Sequence, residues 1–247
     1  MGNSTNLIMR RIVQNIKKLF ESKPTASAEK WQLQIADSVK DYTMTSRENI
    51  LTLTQVIKKL KEENIEGDIV ECGVWKGGSM MAAAMTLHYL KDYTRQIYLY
   101  DTFDSFSIPE NMDISYEGKT GSEILRQQSN NGSTWKAPSE EFVRQNMRET
   151  GYPFERLSFV KGQVERTIPE IIPNKIALLR LDTDWYSSTK HELEWLYPKL
   201  EKGGALIIDD YGYWQGCKKA VDEYFGSHNI SSGVIKIDYS ARLLYKK

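Results

Sequence analysis

From residue 67 onwards the chain alternates short apolar runs with segments of helical periodicity, and this alternation constrains its fold more than any other feature. Most of the apolar runs are near-continuous Val, Ile and Leu, which is typical of strands covered on both faces of a parallel sheet. The runs that predict strands are 68–74, 97–103, 157–162, 176–184 and 205–211. Helical patterns occupy 78–91, 139–149, 187–200 and 215–226. Repeated β-α units predict an α/β fold with a mostly parallel sheet and right-handed crossovers.

Two more apolar runs, 234–238 and 241–246, follow each other without a helix between them. They predict an antiparallel pair that closes one edge of the sheet, which brings the expected number of strands to seven. The length of 247 residues suits one α/β unit with an appendage. We therefore expect a main domain over 67–247, preceded by a helical segment over 1–66.

The N-terminal segment carries two amphipathic patterns. Residues 7–20 space their apolar side chains four apart between Arg and Lys residues, and residues 43–63 offer Ser46 as a helix N-cap. The first helix is expected to pack against the body of the protein or a second subunit, and binding to a membrane surface is the alternative. We expect the segment to act as a lid and as a contact in a homodimer.

Composition excludes several classes of protein. The 33 basic and 33 acidic side chains cancel, whereas proteins that coat nucleic acids carry an excess of Lys and Arg. No apolar run approaches the roughly 20 residues that cross a bilayer. Two cysteines, Cys72 and Cys217, are too few for a disulfide scaffold and fit a reducing cytoplasm. A cytoplasmic protein that acts on a small molecule, without nucleic acid or a membrane span, is the expectation.

The carboxyl ends of the first two predicted strands have features of a nucleotide site. Residues 71–79 form a glycine-rich turn directly before a helix, although they match neither a Walker loop nor GxGxxG. Asp101 ends the second strand, 28 positions after Gly73. An acid at that place is the usual partner of ribose hydroxyls. Together the two features favour a ligand of the adenosine type.

Four carboxylates follow the fourth and fifth predicted strands. Asp182 and Asp184 come after one, and Asp209 and Asp210 after the other. Because like charges in a partly buried site repel, a divalent cation is expected there, and hard oxygen ligands suit Mg²⁺ or Mn²⁺. No cluster of Cys and His suggests zinc, since the three histidines are scattered. The long polar connection over 104–138 is expected to shape an acceptor pocket.

These motifs resemble the macrocin O-methyltransferase family, which methylates sugar hydroxyls on natural products. The resemblance covers residues of about 40–225 and includes the strings YTMTS (42–46), GDIVECGVWKGGS (67–79), DTFDSF (101–106), LRLDTDWYSST (180–189) and LIIDDYGYWQGCKKAVDEYF (206–225). It implies a class I methyltransferase fold, S-adenosylmethionine as cofactor and a bound Mg²⁺.

The resemblance also implies roles for individual residues. Asp182, Asp209 and Asp210 would bind the metal, and Asp184 would be the general base, with His191 as the next candidate. At the turn 162–165 this chain lacks the aromatic residue expected beside the adenine. The residues implied at the cofactor are Thr43, Glu71, Cys72, Gly73, Val74, Trp75, Asp101, Thr102, Phe103, Gln163, Val164 and Asp182.

Two alternatives to a sugar O-methyltransferase are a methyltransferase for catechols or phenols and a non-catalytic protein that binds S-adenosylmethionine. A catechol or phenol acceptor would favour a Lys base shortly after Asp182, and the chain has no Lys between Asp182 and Lys190. A non-catalytic S-adenosylmethionine-binding protein would have no need of the carboxylate set. The sequence therefore predicts an O-methyltransferase for a sugar-containing acceptor, assisted by Mg²⁺ or Mn²⁺.

Overall fold

The computed structural model describes residues 28–130, 137–230 and 233–247. From the first strand to the sixth, one or two α-helices separate each strand from the next. The helices are α1 Lys30–Val39, α2 Arg47–Glu62, α3 Gly78–Tyr89, α4 Gly121–Asn130, α5 Glu140–Arg148, α6 Val164–Thr167, α7 Tyr186–Leu196 and α8 Gln215–Ser227. The strands are β1 Asp68–Cys72, β2 Ile97–Asp101, β3 Leu157–Lys161, β4 Ile176–Leu181, β5 Leu200–Ile208, β6 Ile235–Lys236 and β7 Arg242–Tyr245.

The strands of the described residues form one seven-stranded sheet in the order β3-β2-β1-β4-β5-β7-β6. Strands β1 to β5 are parallel, while β7 runs antiparallel to both β5 and β6. This confirms the predicted α/β fold and the antiparallel pair at the edge. The strand order reverses at β1, which lies between β2 and β4, and ligands of such sheets bind at the carboxyl ends of strands beside this reversal.

Helices cover both faces of the sheet, and for that reason the central strands are apolar on both sides. In β1, Ile69 packs into a hydrophobic cluster that includes residues of α1, α2 and α3. Its neighbour Val70 faces the other way, into a second cluster with residues of α7 and α8. With a core on each face, the strands are fixed in position and their carboxyl ends can hold side chains at defined distances.

The strands are shorter than predicted at most of their ends, and the boundaries of β4 and β5 differ in ways that affect the site. Strand β4 ends at Leu181 rather than at 184, because Asp184 has a φ of +69° and an extended strand cannot continue through it. Strand β5 begins at Leu200 rather than at 205. Its register shifts, since Ile176 pairs with Leu200 while Leu178 pairs with Ala205. A regular strand through 184 would point Asp182 and Asp184 to the same side, but β4 ends before both residues.

The described part of the N-terminal segment packs on the sheet domain. Ser46 caps α2 as predicted, with its side chain accepting a hydrogen bond from the Asn49 backbone N–H at 3.1 Å. Helices α1 and α2 share one hydrophobic cluster with α3. The amphipathic pattern at 7–20 lies outside the described residues.

The connection after β2 is more ordered than its composition suggests. It contains α4 and an antiparallel bridge between Ile114 and Thr120, and Ser115 bridges to Trp214 at the start of α8. Its described residues are thereby tied to the segment that follows β5. No helix in the described parts of the chain is long and apolar enough to cross a membrane.

Candidate active site

A cavity of about 310 Å³ opens at the carboxyl edge of the sheet, where the strand order reverses. Its wall combines the turns after β1 to β5 with residues 42–45 and 105–107. Its volume is within the range of small-molecule sites, which is roughly 300–1,000 Å³. The polar residues predicted at the strand ends thus surround one cavity.

The turn after β1 is held in place by close backbone packing. Gly73 has a φ of +82°, and a Cβ at this position would lie 1.9 Å from the carbonyl oxygen of Asp182. At Gly78 a Cβ would lie 2.5 Å from the carbonyl oxygen of Tyr42, which accepts a hydrogen bond from the Gly78 N–H at 3.0 Å. Glycine is therefore required where the turn meets β4 and the segment before α2.

Asp101 fixes the geometry of this turn. Its Oδ2 accepts hydrogen bonds from the backbone N–H of Val74 at 2.6 Å and of Trp75 at 3.1 Å. Its Oδ1 accepts one from the N–H of Phe103 at 2.8 Å. One carboxylate thus connects the ends of β1 and β2 while it also lines the cavity.

Three carboxylates converge beside this turn. Asp182, Asp209 and Asp210 each place one oxygen within 4.8 Å of the others. Burial raises the pKa of Asp209, and the charge of Asp182 raises it further. Burial likewise raises the pKa of Asp210, together with the charge of Asp184. Three hard oxygen donors at this spacing fit one Mg²⁺ or Mn²⁺.

An arginine that the sequence analysis did not identify lies among these acids. The guanidinium of Arg180 is fully buried and pairs with Glu71 at 2.7 Å. It also donates to Asp182 Oδ2 at 2.5 Å and to Asp209 Oδ1 at 2.6 Å. A fourth hydrogen bond reaches Thr45 Oγ1 at 2.7 Å. The signal was present in the sequence, because Arg180 is the charged residue of the otherwise apolar strand IALLRL.

Asp184 lies beside this group but outside the three converging carboxylates. Its Oδ1 accepts a hydrogen bond from Trp214 Nε1 at 2.7 Å, and its backbone N–H donates to Asp210 Oδ2 at 3.1 Å. Burial raises the pKa of Asp184 to about 7, and the charge of Asp182 contributes. Its carboxyl group thus has a fixed orientation and a pKa suited to exchanging a proton near neutral pH.

Most of the residues implied by the motifs reach the cavity. Those that line it are Thr43, Gly73, Val74, Trp75, Asp101, Thr102, Gln163, Val164, Asp182, Asp184, Asp209 and Asp210. The side chains of Glu71, Cys72 and Phe103 do not: Glu71 pairs with Arg180, and the other two lie in the core clusters. His191 is also absent from the cavity wall, and its buried Nε2 has no hydrogen-bond partner among the residues that the structure describes.

The mouth of the cavity carries aromatic and apolar side chains that the sequence analysis did not assign. Met44 and Tyr239 line it and are 53% and 67% exposed. Tyr213 also lines it and packs edge-on against Tyr116, with ring centroids 5.2 Å apart. These four residues come from four separate segments, and no local sequence pattern connects them.

Comparisons with known proteins identify the family. The model of the macrocin O-methyltransferase family (TylF) matches residues 3–247. Demethyldecarbamoylnovobiocin O-methyltransferase of Streptomyces niveus is 34% identical over 199 residues, which cover 80% of this chain and 72% of that protein. Mycinamicin III 3''-O-methyltransferase of Micromonospora griseorubida is 29% identical over 197 residues, covering 80% and 75%.

The fold has the same relatives. The structure of the O-methyltransferase NovP superposes with a TM-score of 0.72 at 31% identity and covers 83% of this chain and 82% of that one. The predicted class I methyltransferase fold is confirmed. The chain belongs to the macrocin O-methyltransferase family.

Proposed function

We propose that this member of the macrocin O-methyltransferase family transfers the methyl group of S-adenosylmethionine to a hydroxyl of a sugar-containing acceptor, with Mg²⁺ or Mn²⁺ held by Asp182, Asp209 and Asp210. The observation that carries the proposal is the convergence of these three carboxylates within 4.8 Å, in the same cavity as the glycine turn after β1. The named relatives of the chain methylate demethyldecarbamoylnovobiocin and mycinamicin III, which supports a sugar-containing natural product as the acceptor.

The cofactor would bind along the carboxyl ends of β1 to β3. Asp101, already held by the amides of Val74 and Trp75, would accept hydrogen bonds from the ribose hydroxyls. Gln163 and Val164 follow β3 and would border the adenine. Thr43, on the segment that packs against Gly78, would close over the cofactor from the side of α2.

The three metal ligands would help to activate and orient the acceptor hydroxyl. A bound divalent cation supplies Lewis acidity, which lowers the pKa of a coordinated hydroxyl. By holding the cation, Asp182, Asp209 and Asp210 would determine where an acceptor hydroxyl lies with respect to the glycine turn. An alcohol is a weak nucleophile, and orienting it toward the methyl group contributes much of the rate in a transfer of this kind.

Asp184 is the proposed general base. Trp214 Nε1 occupies its Oδ1, so the proton of the acceptor hydroxyl would be accepted at Oδ2. The cavity lining within the described residues contains no lysine, arginine or histidine. A sugar hydroxyl activated by carboxylates is therefore favoured over a phenol activated by lysine, and Asp184 over His191.

The proposal is tested by methyl transfer from labelled S-adenosylmethionine to three acceptor classes: glycosides, their aglycones and simple catechols. We expect transfer to glycosides, loss of activity in EDTA and its return with Mg²⁺ or Mn²⁺. The variant Asp182→Asn, which changes a proposed metal ligand, is compared with Asp104→Asn. The latter changes an exposed aspartate after β2 and serves as the matched control. Transfer to catechols but not to glycosides would refute the acceptor class, and full turnover after exhaustive chelation would refute the metal.

A further inference from the structure

The contacts of Arg180 divide the oxygens of two carboxylates. Asp182 uses Oδ2 and Asp209 uses Oδ1 to accept hydrogen bonds from the guanidinium. The side chain of Asn49, on α2, donates through Nδ2 to the same Oδ1 of Asp209. Among the hydrogen bonds of the described residues, none from an N–H or O–H group reaches Asp182 Oδ1 or Asp209 Oδ2. Each carboxylate therefore has one oxygen that accepts hydrogen bonds from these side chains and one that no such donor reaches.

Both donors are fixed by burial. Arg180 is fully buried, and Asn49 is 1% exposed. Displacing Arg180 would break three ion pairs and leave buried carboxylates without their counter-charge, which is strongly unfavourable in the interior. The planar guanidinium also presents its donors in a rigid fork, which a lysine ammonium cannot reproduce.

We propose that Arg180 and Asn49 are positioning residues of the cation site: they hold one oxygen of Asp182 and one of Asp209, so that each carboxylate binds the cation through its other oxygen only. The inference rests on the proposed divalent-cation site and adds the residues that determine how its ligands are presented. It also connects the site to the N-terminal segment, because Asn49 belongs to α2 and Thr45 directly precedes its N-cap.

This arrangement has a consequence for metal selectivity. Mg²⁺ requires near-ideal octahedral coordination, whereas Ca²⁺ takes six to eight oxygens and accepts both oxygens of a carboxylate. Carboxylates limited to one oxygen each disfavour Ca²⁺. Loosening them should reduce the preference for the smaller ion as well as the affinity for it.

The experiment measures Mn²⁺ binding to metal-free protein by the EPR signal of the free ion, without S-adenosylmethionine or acceptor. The variants are Arg180→Lys and Asn49→Ala. Arg95→Lys is the matched control, because Arg95 is also a buried arginine in an ion pair, with Asp92 at 3.0 Å. Its guanidinium donates to the backbone just before β1, at the amino-terminal ends of the strands and away from the site. Ca²⁺ is then titrated against bound Mn²⁺ in each protein.

We expect Arg180→Lys to bind Mn²⁺ about 10–100-fold more weakly, the usual loss when a residue that orients a metal ligand is replaced. Asn49→Ala should bind it more weakly than the wild type by a smaller factor, and Arg95→Lys as tightly as the wild type. The ratio of Ca²⁺ to Mn²⁺ affinity should rise in Arg180→Lys.

Three results would overturn the inference. Unchanged Mn²⁺ affinity in both site variants removes the positioning role, and if Arg180→Lys does not fold, unchanged affinity in Asn49→Ala alone does so. A weaker affinity with an unchanged Ca²⁺ to Mn²⁺ ratio contradicts the restriction to one oxygen. A wild-type protein that binds no Mn²⁺ overturns the cation site of the proposed function and this inference with it, whereas intact wild-type binding with unaffected variants overturns this inference alone.

Discussion

Replacing Asp184 by asparagine should stabilise the metal-free protein at neutral and higher pH. In the folded protein burial raises the pKa of Asp184 from 3.8 to about 7. Between these two values the folded state binds more protons than the unfolded chain, so the free energy of unfolding falls as the pH rises through this window. An asparagine does not ionise, so its presence does not lower the free energy of unfolding as the pH rises. The variant should therefore gain stability over the wild type as the pH increases.

The size of the gain in stability follows from the difference between the pKa of Asp184 in the folded protein and in the unfolded chain. A difference of about three pKa units corresponds to about 4 kcal/mol at 1.36 kcal/mol per unit, small near pH 4 and complete above about pH 7. The hydrogen bond from Trp214 Nε1 should survive, because the amide oxygen of asparagine can accept it. For a chain of this size 1 kcal/mol corresponds to about 2–4 °C, so the difference in Tm should reach about 8–16 °C.

The assay is thermal unfolding of wild type and Asp184→Asn in EDTA, at several pH values between 4 and 8. Asp104→Asn removes the same charge from a side chain that is 63% exposed, and its Tm should follow that of the wild type. Parallel Tm curves for Asp184→Asn and wild type over this range would refute the reasoning, because the carboxylate would then carry no penalty in the folded state.

The remaining predictions concern the cofactor, the metal and the turn. Asp101→Ala should weaken S-adenosylmethionine binding by about 1–3 kcal/mol in calorimetry through lost charge-assisted hydrogen bonds, and unchanged affinity would limit Asp101 to a structural role. Asp182→Asn should lower metal affinity and recover part of its activity at high Mg²⁺, whereas Asp184→Asn should lose about 10²–10⁴ in kcat without recovery; equal recovery would make Asp184 a ligand. Gly73→Ala should lower the free energy of unfolding by more than about 1 kcal/mol in urea, because its Cβ would meet the carbonyl oxygen of Asp182, and unchanged stability would contradict that packing.

The sheet could be predicted from the sequence because its signals are local. Most strands carry a run of Val, Ile and Leu, and the carboxyl ends of parallel strands meet at one end of a sheet wherever the individual residues come to lie. This is why Asp101, Asp182, Asp209 and Asp210, far apart in sequence, could be expected around one cavity. The strand ends were less predictable, since the left-handed backbone at Asp184 depends on its contacts with Trp214 and Asp210.

Arg180 shows what the sequence analysis left out. Its four partners come from four segments of the chain, and their distances depend on how β4 lies against β1 and β5 and on how residue 45 packs over them. A single arginine in a buried strand indicates that some partner exists without saying which. The aromatic mouth around Tyr213 and Tyr239 is a similar case, because it forms only where α8 and the turn before β7 approach the cavity.

The buried guanidinium refines the electrostatic argument for a cation without replacing it. The sequence analysis inferred a cation from four mutually repelling carboxylates, and the fold supplies one positive charge of its own. Arg180 pairs with Glu71, Asp182 and Asp209 but makes no ion pair with Asp210 or Asp184. The negative charge that Arg180 does not pair with therefore belongs to Asp184 and Asp210, and the pKa of both groups is raised. Protons can neutralise it in the metal-free protein and a divalent cation can do so in the loaded one, so metal binding should release protons as it competes for the same oxygens. Under the proposed function Arg180 would orient the ligands from within the fold, and the cation would supply charge where the acceptor hydroxyl must be activated.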